Sequence, residues 1–138
     1  MNFEWRQLPR GDVAPHWSGL YVTMNPRGHI HLSGPTWERL GRPEAFHIFY
    51  NELVRRLMLK PANRKERHAY PIGVSGKYGG KVVRAYRLMT EFNIRPNDTI
   101  EFITPKIEEG ALVLDFFKYR ISPKAHSQCR NRQAAWKW

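Results

Sequence analysis

Cysteine is almost missing from this 138-residue chain. Cys129 stands alone, which excludes an intrachain disulfide and fits a reducing compartment. Long apolar runs are missing too. Nothing approaches the roughly 20 consecutive apolar residues that cross a bilayer as a helix. Residues 1–10 lack the apolar centre of a secretion signal, so the expectation is a soluble cytoplasmic protein with no membrane partner. Acidic residues are scarce, 12 against 23 Lys and Arg, and from residue 116 onward there are none. Apolar residues are not scarce. At 41% hydrophobic and 13% aromatic the chain can fill a core, which excludes wholesale disorder.

The net charge of +11 is segregated rather than spread. Residues 1–53 balance five basic against five acidic side chains, whereas residues 54–87 carry ten basic side chains against Glu66 alone. Residues 88–115 are net −4, and residues 116–138 net +6. Solubility does not require sorting the signs, and a localised basic band is the footprint of a polyanion partner, nucleic acid first.

One stretch occurs twice. GHIHLSGPTWERLGRPEAFHI (residues 28–48) and GKVVRAYRLMTEFNIRPNDTIEF (residues 80–102) each open on Gly and run through a short apolar strand into a short helix. The helix stops at Gly41 in one and Asn93 in the other, thirteen residues after the opening Gly in both. Gly and Asn are the residues that tolerate the left-handed conformation past a helix end. Arg42-Pro43 and Arg95-Pro96 follow, then alternating strands with Phe46 and Ile48 against Ile100 and Phe102.

This order resembles the AbrB-type swapped-hairpin family, whose pattern reads G-R-I-V-I-P-x-E-L-R-x-x-L-G-I-x-P-G-D-x-V-E-I. The second copy matches at Gly80, Val82, Val83, Leu88, Phe92, Asn93, Ile94, Pro96, Asp98, Ile100 and Glu101. The first matches at Gly28, Ile30, Leu32, Leu40, Gly41, Pro43 and Ile48. Ser33 and Ala85 stand where the family has its helix-entering Pro, and its middle basic positions are only partly kept. The resemblance therefore bears on fold more than on any DNA sequence preference. It implies a mainly β chain with two short helices (α+β), a double-repeat swapped-hairpin barrel closed within one chain as a pseudo-dimer. A 45-residue unit buries too little to stand alone, which favours such mutual completion.

The expected organisation is an N-terminal arm (1–19), a first half (20–60), a basic linker (61–68), a second half (69–117) and a basic tail (118–138). Within it, Leu20, Val22 and Met24 alternate, Ile30 and Leu32 point inward, and His29 and His31 point away. Ser33 caps the first helix, with Pro35 in its first turn. Ala85, Leu88, Met89 and Phe92 form an i, i+3, i+4, i+7 stripe on the second. Tyr70, Ile72 and Val74 alternate along a strand that Pro71 confines to an edge or an end. Residues 99–104 and 111–116, joined by a turn at Glu108-Glu109-Gly110, form the closing hairpin, whose Leu112 and Leu114 are the second copy's counterparts of Leu57 and Leu59. Arg84 breaks the pattern, falling where the first copy has Leu32. The tail has no period, Ala134–Trp136 suggests at most a helical turn, and Trp5 and Trp17 are expected to pack as cover.

The resemblance implies that the turns and strand starts face DNA as a pair. The candidate nucleic-acid residues are Arg27, His29 and His31 from the first half and Lys77, Lys81, Arg84 and Arg87 from the second, with Arg64, Lys65 and Arg67 from the linker. Lys and Arg neutralise phosphates and release counterions, and Arg reads guanine edges with paired hydrogen bonds. Tyr78 is expected to cover the barrel end rather than stack on a base. No metal set is complete: His29 and His31 lack a third ligand, and His126-x-x-Cys129 lacks a second pair. Residues 75–82 miss the phosphate-loop spacing. Glu108-Glu109 reads as a turn, and Cys129 has no base beside it in sequence. No catalytic residue and no cofactor are indicated. The function expected is duplex DNA binding by a transcriptional regulator, acting as a monomer or weak oligomer. The alternatives are a protein-docking module such as an antitoxin, using the tail, and an RNA binder.

Overall fold

The computed structural model describes residues 7, 20–76, 79–122 and 136–137. Trp5, Trp17, Lys77, Tyr78, His126 and Cys129 lie outside them. The elements in chain order are β1 (Val22–Met24), β2 (His29–Leu32), α1 (Gly34–Arg39), β3 (Ala45–Asn51), β4 (Arg56–Ala62), β5 (Tyr70–Ser75), β6 (Gly80–Arg84), α2 (Tyr86–Phe92), β7 (Arg95–Pro96), β8 (Ile100–Phe102), β9 (Lys106–Glu108), β10 (Ala111–Asp115), β11 (Tyr119–Ile121) and β12 (Trp136–Lys137). The chain is mainly β with two short helices, as expected.

Local chemistry sets the helix ends. The Ser33 side chain accepts from the Thr36 amide at 3.3 Å, and Pro35 occupies the first turn of α1. The buried Thr36 hydroxyl accepts from the Tyr21 amide at 2.9 Å, tying the start of α1 to β1. Gly41 (φ 87°) and Asn93 (φ 54°, ψ 40°) take the left-handed conformation past the two helices, as the repeat requires. Ala85 offers α2 no side-chain cap. Instead its amide donates to the Gly28 carbonyl at 3.1 Å, so the start of α2 is anchored on the turn of the other copy.

Ten strands form one sheet in the order β11-β8-β1-β2-β6-β5-β3-β4-β10-β9, while β7 pairs with β12. Residues 28–48 and 80–102 meet at the antiparallel β2–β6 ladder. Strand β1 pairs with β8, and β3 with β5. In the central ladder Ile30 faces Val83, both fully buried, and His29 faces Arg84. The correspondence drawn through Gly28 and Gly80 is therefore out of step by one residue on the strand faces. The inward positions of β6 are Lys81 and Val83, not Val82, and a one-residue slip exchanges the faces. That slip explains why Arg84 breaks the repeat: it is an outward residue, exposed at the strand end.

Inside the sheet lies one hydrophobic core built on Met24, Ile30, Phe46, Ile94, Phe102 and Phe116. Leu57 faces Leu114 and Leu59 faces Leu112 across the β4–β10 ladder, all four fully buried. These leucines, anticipated as counterparts in the two halves, thus pack directly on one another. The Phe116 ring meets Phe102 edge-on at 5.2 Å and Tyr50 at 5.8 Å.

Several expectations are corrected. The hydrogen-bonded order has two ends, β11 and β9, so the sheet does not close into a barrel. The C-terminal hairpin bends after β8, so that β8 with β11 lies at one end of the order and β9 with β10 at the other. Its turn, Glu109 (φ 51°) and Gly110 (φ 79°), carries the two positive φ angles of a tight two-residue hairpin. Strand β10 pairs with β4 and β9 rather than with β8. Part of the stretch read as a tail is structural, because Tyr119–Ile121 is a strand on β8. Trp136–Lys137 is a strand on β7, while Ala134 and Ala135 of the suggested helical turn lie outside the described residues. Strand β4 runs two residues into the supposed linker, ending at Ala62. Val74, on the same side as Ile72 and Lys81, is 72% exposed rather than buried. Strand β5 is interior to the sheet, and Pro71 is accommodated near its start.

Gly28 (φ 81°), in the turn before β2, lies against α2. A Cβ there would sit 2.6 Å from Met89 Sδ and 3.2 Å from Tyr86 Cα. At Gly41 (φ 87°) a Cβ would meet nothing within 4 Å. Gly41→Ala is thus expected to cost only the left-handed backbone penalty of about 1–2 kcal/mol. Gly28→Ala should cost more, by about 1–3 kcal/mol of overpacking. Urea unfolding of the two variants measures the difference, and Met89→Ala should recover part of it only in the Gly28→Ala background.

Candidate nucleic-acid interface

The turn Asn25-Pro26-Arg27-Gly28 presents the first candidate cation. The Asn25 side-chain oxygen accepts from the amides of Arg27 and His29, each at 3.0 Å, and the Gly28 amide donates to the Asn25 carbonyl at 3.0 Å. Asn at the start of a turn makes such bonds because its short amide reaches its own backbone two residues on. Arg27 is left exposed at the tip.

Strand alternation then sets His29 and His31 on the face away from the core, with ring centroids 6.5 Å apart. Across the ladder Arg84 lies opposite His29 and Val82 opposite His31. The Arg84 guanidinium lies over Gly73 of β5, where a Cβ would come within 3.2 Å of Nη1, so the missing side chain gives it room. His31 Nδ1 is 2.9 Å from Ser75 Oγ, a bond that orients the ring. Arg27, His29, His31 and Arg84 are thus brought together on one outer face.

This crowding shows in their protonation. Burial, then the positive charges of Arg84 and Arg27, hold the His29 imidazolium below its ordinary pKa. Burial, then His29 and Arg84, do the same for His31. Both rings are therefore neutral at neutral pH and offer hydrogen bonds there rather than charge.

The remaining candidates go elsewhere. Lys81 lies on the inward side of β6, opposite Leu32, and its ammonium sits 4.2 Å from the centre of the Trp37 ring. Trp37 is fixed by its indole N–H donating to the Pro43 carbonyl at 2.8 Å. A cation over an aromatic face is a stabilising contact, and it turns Lys81 away from Arg84. Arg87 pairs with Glu91 one turn on in α2, at 2.6 Å. Arg64 and Lys65 are exposed on the turn after β4, which closes as the Asn63 amide donates to Glu66 at 2.6 Å. The Arg67 carbonyl lies 3.1 Å from His47 Nε2. Arg67 and Arg87 line a groove of about 580 Å³ between β3 and α2.

Glu101 and Arg120 were not anticipated. Arg120 of β11 grips Glu101 of β8 with two bonds, Nη2–Oε2 at 2.9 Å and Nε–Oε1 at 3.2 Å. Glu101 is buried while Arg120 is exposed. Burial and the Glu101 charge together raise the Tyr21 pKa. Alternation against Ile100 and Phe102 puts Glu101 on the outer side, but Arg120 fell in the stretch without a period. Among the described residues no group of three His, Cys, Asp or Glu could hold a metal, and no helix is long and apolar enough to cross a membrane.

Because the folded state resists protonating His29 and His31, the unfolded chain takes up protons first as pH falls through about 6.5. Stability is therefore expected to drop between pH 7 and the lower folded-state pKa values, and to level off below them. His29→Gln/His31→Gln should flatten that drop, as read by urea midpoints at several pH values. No family model, curated protein or solved structure matches the chain.

Proposed function

We propose that this protein binds double-stranded DNA as a transcriptional regulator, through the outer face of β2 and β6 in a two-repeat swapped-hairpin unit. The observation that carries the reading is the meeting of the two copies at the β2–β6 ladder, which sets Arg27, His29 and His31 of one beside Arg84 of the other. The exchange of partners between halves, β1 with β8 and β3 with β5, supports the swapped-hairpin description, in an open rather than a closed sheet. The same exchange lets one chain complete its own interior, as a pseudo-dimer would.

In this reading Arg27 and Arg84 neutralise phosphates, and an arginine such as Arg84 has the paired donors that read a guanine edge. The imidazoles donate hydrogen bonds, and become cationic when phosphate oxygens replace water beside them. Lys81 and Arg87 are engaged by Trp37 and Glu91 and contribute less. Arg64 and Lys65 add a second, exposed basic turn.

Duplex affinity should fall steeply with salt. Each phosphate contact adds about 0.9 to the slope of log K against log salt. Arg27→Ala and Arg84→Ala should each lower the slope by up to that amount, while Arg87→Ala leaves it nearly unchanged. Titrations of a random duplex at several salt concentrations measure this. Equal slopes in all three variants, or tighter binding of structured RNA in competition, would reject the proposal. Since bound phosphate raises the imidazole pKa values, affinity should also rise from pH 7.5 to 5.5, and the double His→Gln variant should lose that rise.

A further inference from the structure

Strand β3 is interior to the sheet order, yet among the described residues most of it has a neighbouring strand on one side only. Strand β4 pairs with it from Ala45 to Asn51, whereas β5 pairs with it only at Ala45 and Phe46. The Ile72 amide donates to the Glu44 carbonyl at 3.1 Å. Peptide groups alternate in direction along an antiparallel strand, so Glu44, Phe46, Ile48 and Tyr50 turn theirs toward the β5 side. At Ile48 and Tyr50 no described strand takes them.

This gap opens on the groove between β3 and α2. Its apolar walls come from Ile48, Tyr50, Tyr70, Leu88 and Phe92, with the Tyr50 and Phe92 rings 4.8 Å apart. Arg67, Arg87, His47 and His68 ring it, and the acid among its lining residues, Glu91, is held by Arg87. The two ends of the sheet are handled differently. Strand β9 carries Lys106 and Glu108, and β11 carries Arg120, charges of the kind that keep an edge from recruiting another strand. The run of β3 paired on one side among the described residues, His47-Ile48-Phe49-Tyr50-Asn51, has no Lys, Arg, Asp, Glu or Pro, and Phe49 within it is 53% exposed.

The geometry points to a peptide-docking site: an extended segment of a partner protein, alternating apolar and acidic residues, adds as a strand to β3 at Ile48 and Tyr50. Main-chain hydrogen bonds supply affinity in such additions, and pockets for alternate side chains supply selectivity. Here every second side chain enters the apolar groove, and the acidic residues between them meet Arg67, since Arg87 is already held by Glu91. The site is separate from the β2–β6 face, and its truth does not depend on DNA binding.

The test uses the full chain and a synthetic peptide, acetyl-Glu-Val-Glu-Val-Glu-Val-amide. In the free protein, hydrogen exchange followed by NMR should show the Ile48 and Tyr50 amides exchanging much faster than those of His47 and Phe49. Adding the peptide should slow them. Two further peptides, N-methylated on the Val amides or on the Glu amides, separate strand addition from side-chain binding: one must lose binding and the other keep it. Arg67→Ala should weaken the parent peptide by about threefold to tenfold, the range of an exposed ion pair or ordinary hydrogen bond, whereas Arg87→Ala, with its partner Glu91 left behind, should not strengthen it. Equal binding of both methylated peptides, or no binding of the parent at millimolar concentration, overturns the proposal. So does protection of Ile48 and Tyr50 in the free protein. Protection lost on dilution would assign the groove to a second copy, and protection retained would assign it to this chain.

Discussion

Ile30 facing Val83 is the contact on which the rest of the arrangement turns. Both side chains are fully buried at the centre of the ladder where the two copies meet. Their register decides which residues of β2 and β6 point into the core. A slip of one residue would carry His31 (if β2 shifts) or Arg84 (if β6 shifts) into the apolar interior, and an unpaired charge there is among the costliest groups a fold can bury. The buried pair is thus also what puts two imidazoles and a guanidinium together outside.

From that seam the halves complete one another rather than standing side by side. Strands β1 and β3 each find a partner in the other copy, and the leucines of β4 and β10 interlock beyond them. Neither half has a core of its own: Phe46, Phe102 and Phe116 belong to one cluster. The anchoring of α2 on Gly28 extends the same dependence to the helices.

Much of this was legible in the chain. Ser33, Gly41 and Asn93 gave the helix boundaries, because capping and left-handed backbone are local chemistry. The alternation of His29, Ile30, His31 and Leu32 gave the faces of β2. Val82 and Val83 gave no such guide. Two adjacent apolar residues do not fix a parity, so Lys81 was grouped with Arg84 although the two lie on opposite faces. Arg87 and Glu91 sit one helical turn apart and could have been read as a pair. The bend after Phe102, and the pairing of Tyr119–Ile121 back onto β8, are set by distant partners rather than by the turn residues nearby. The half-open side of β3 was illegible for the same reason. It arises where β5 departs, and no pattern within β3 announces it.

The β1–β8 ladder joins Met24 to Ile100, and so bears on how the chain comes off the ribosome. At about 5–20 residues per second, the opening hairpin emerges on the order of four to fifteen seconds before its outer neighbour exists. During that wait a sticky margin stands open to solvent. Completion of the first half therefore waits on a non-local contact, of the kind that slows folding.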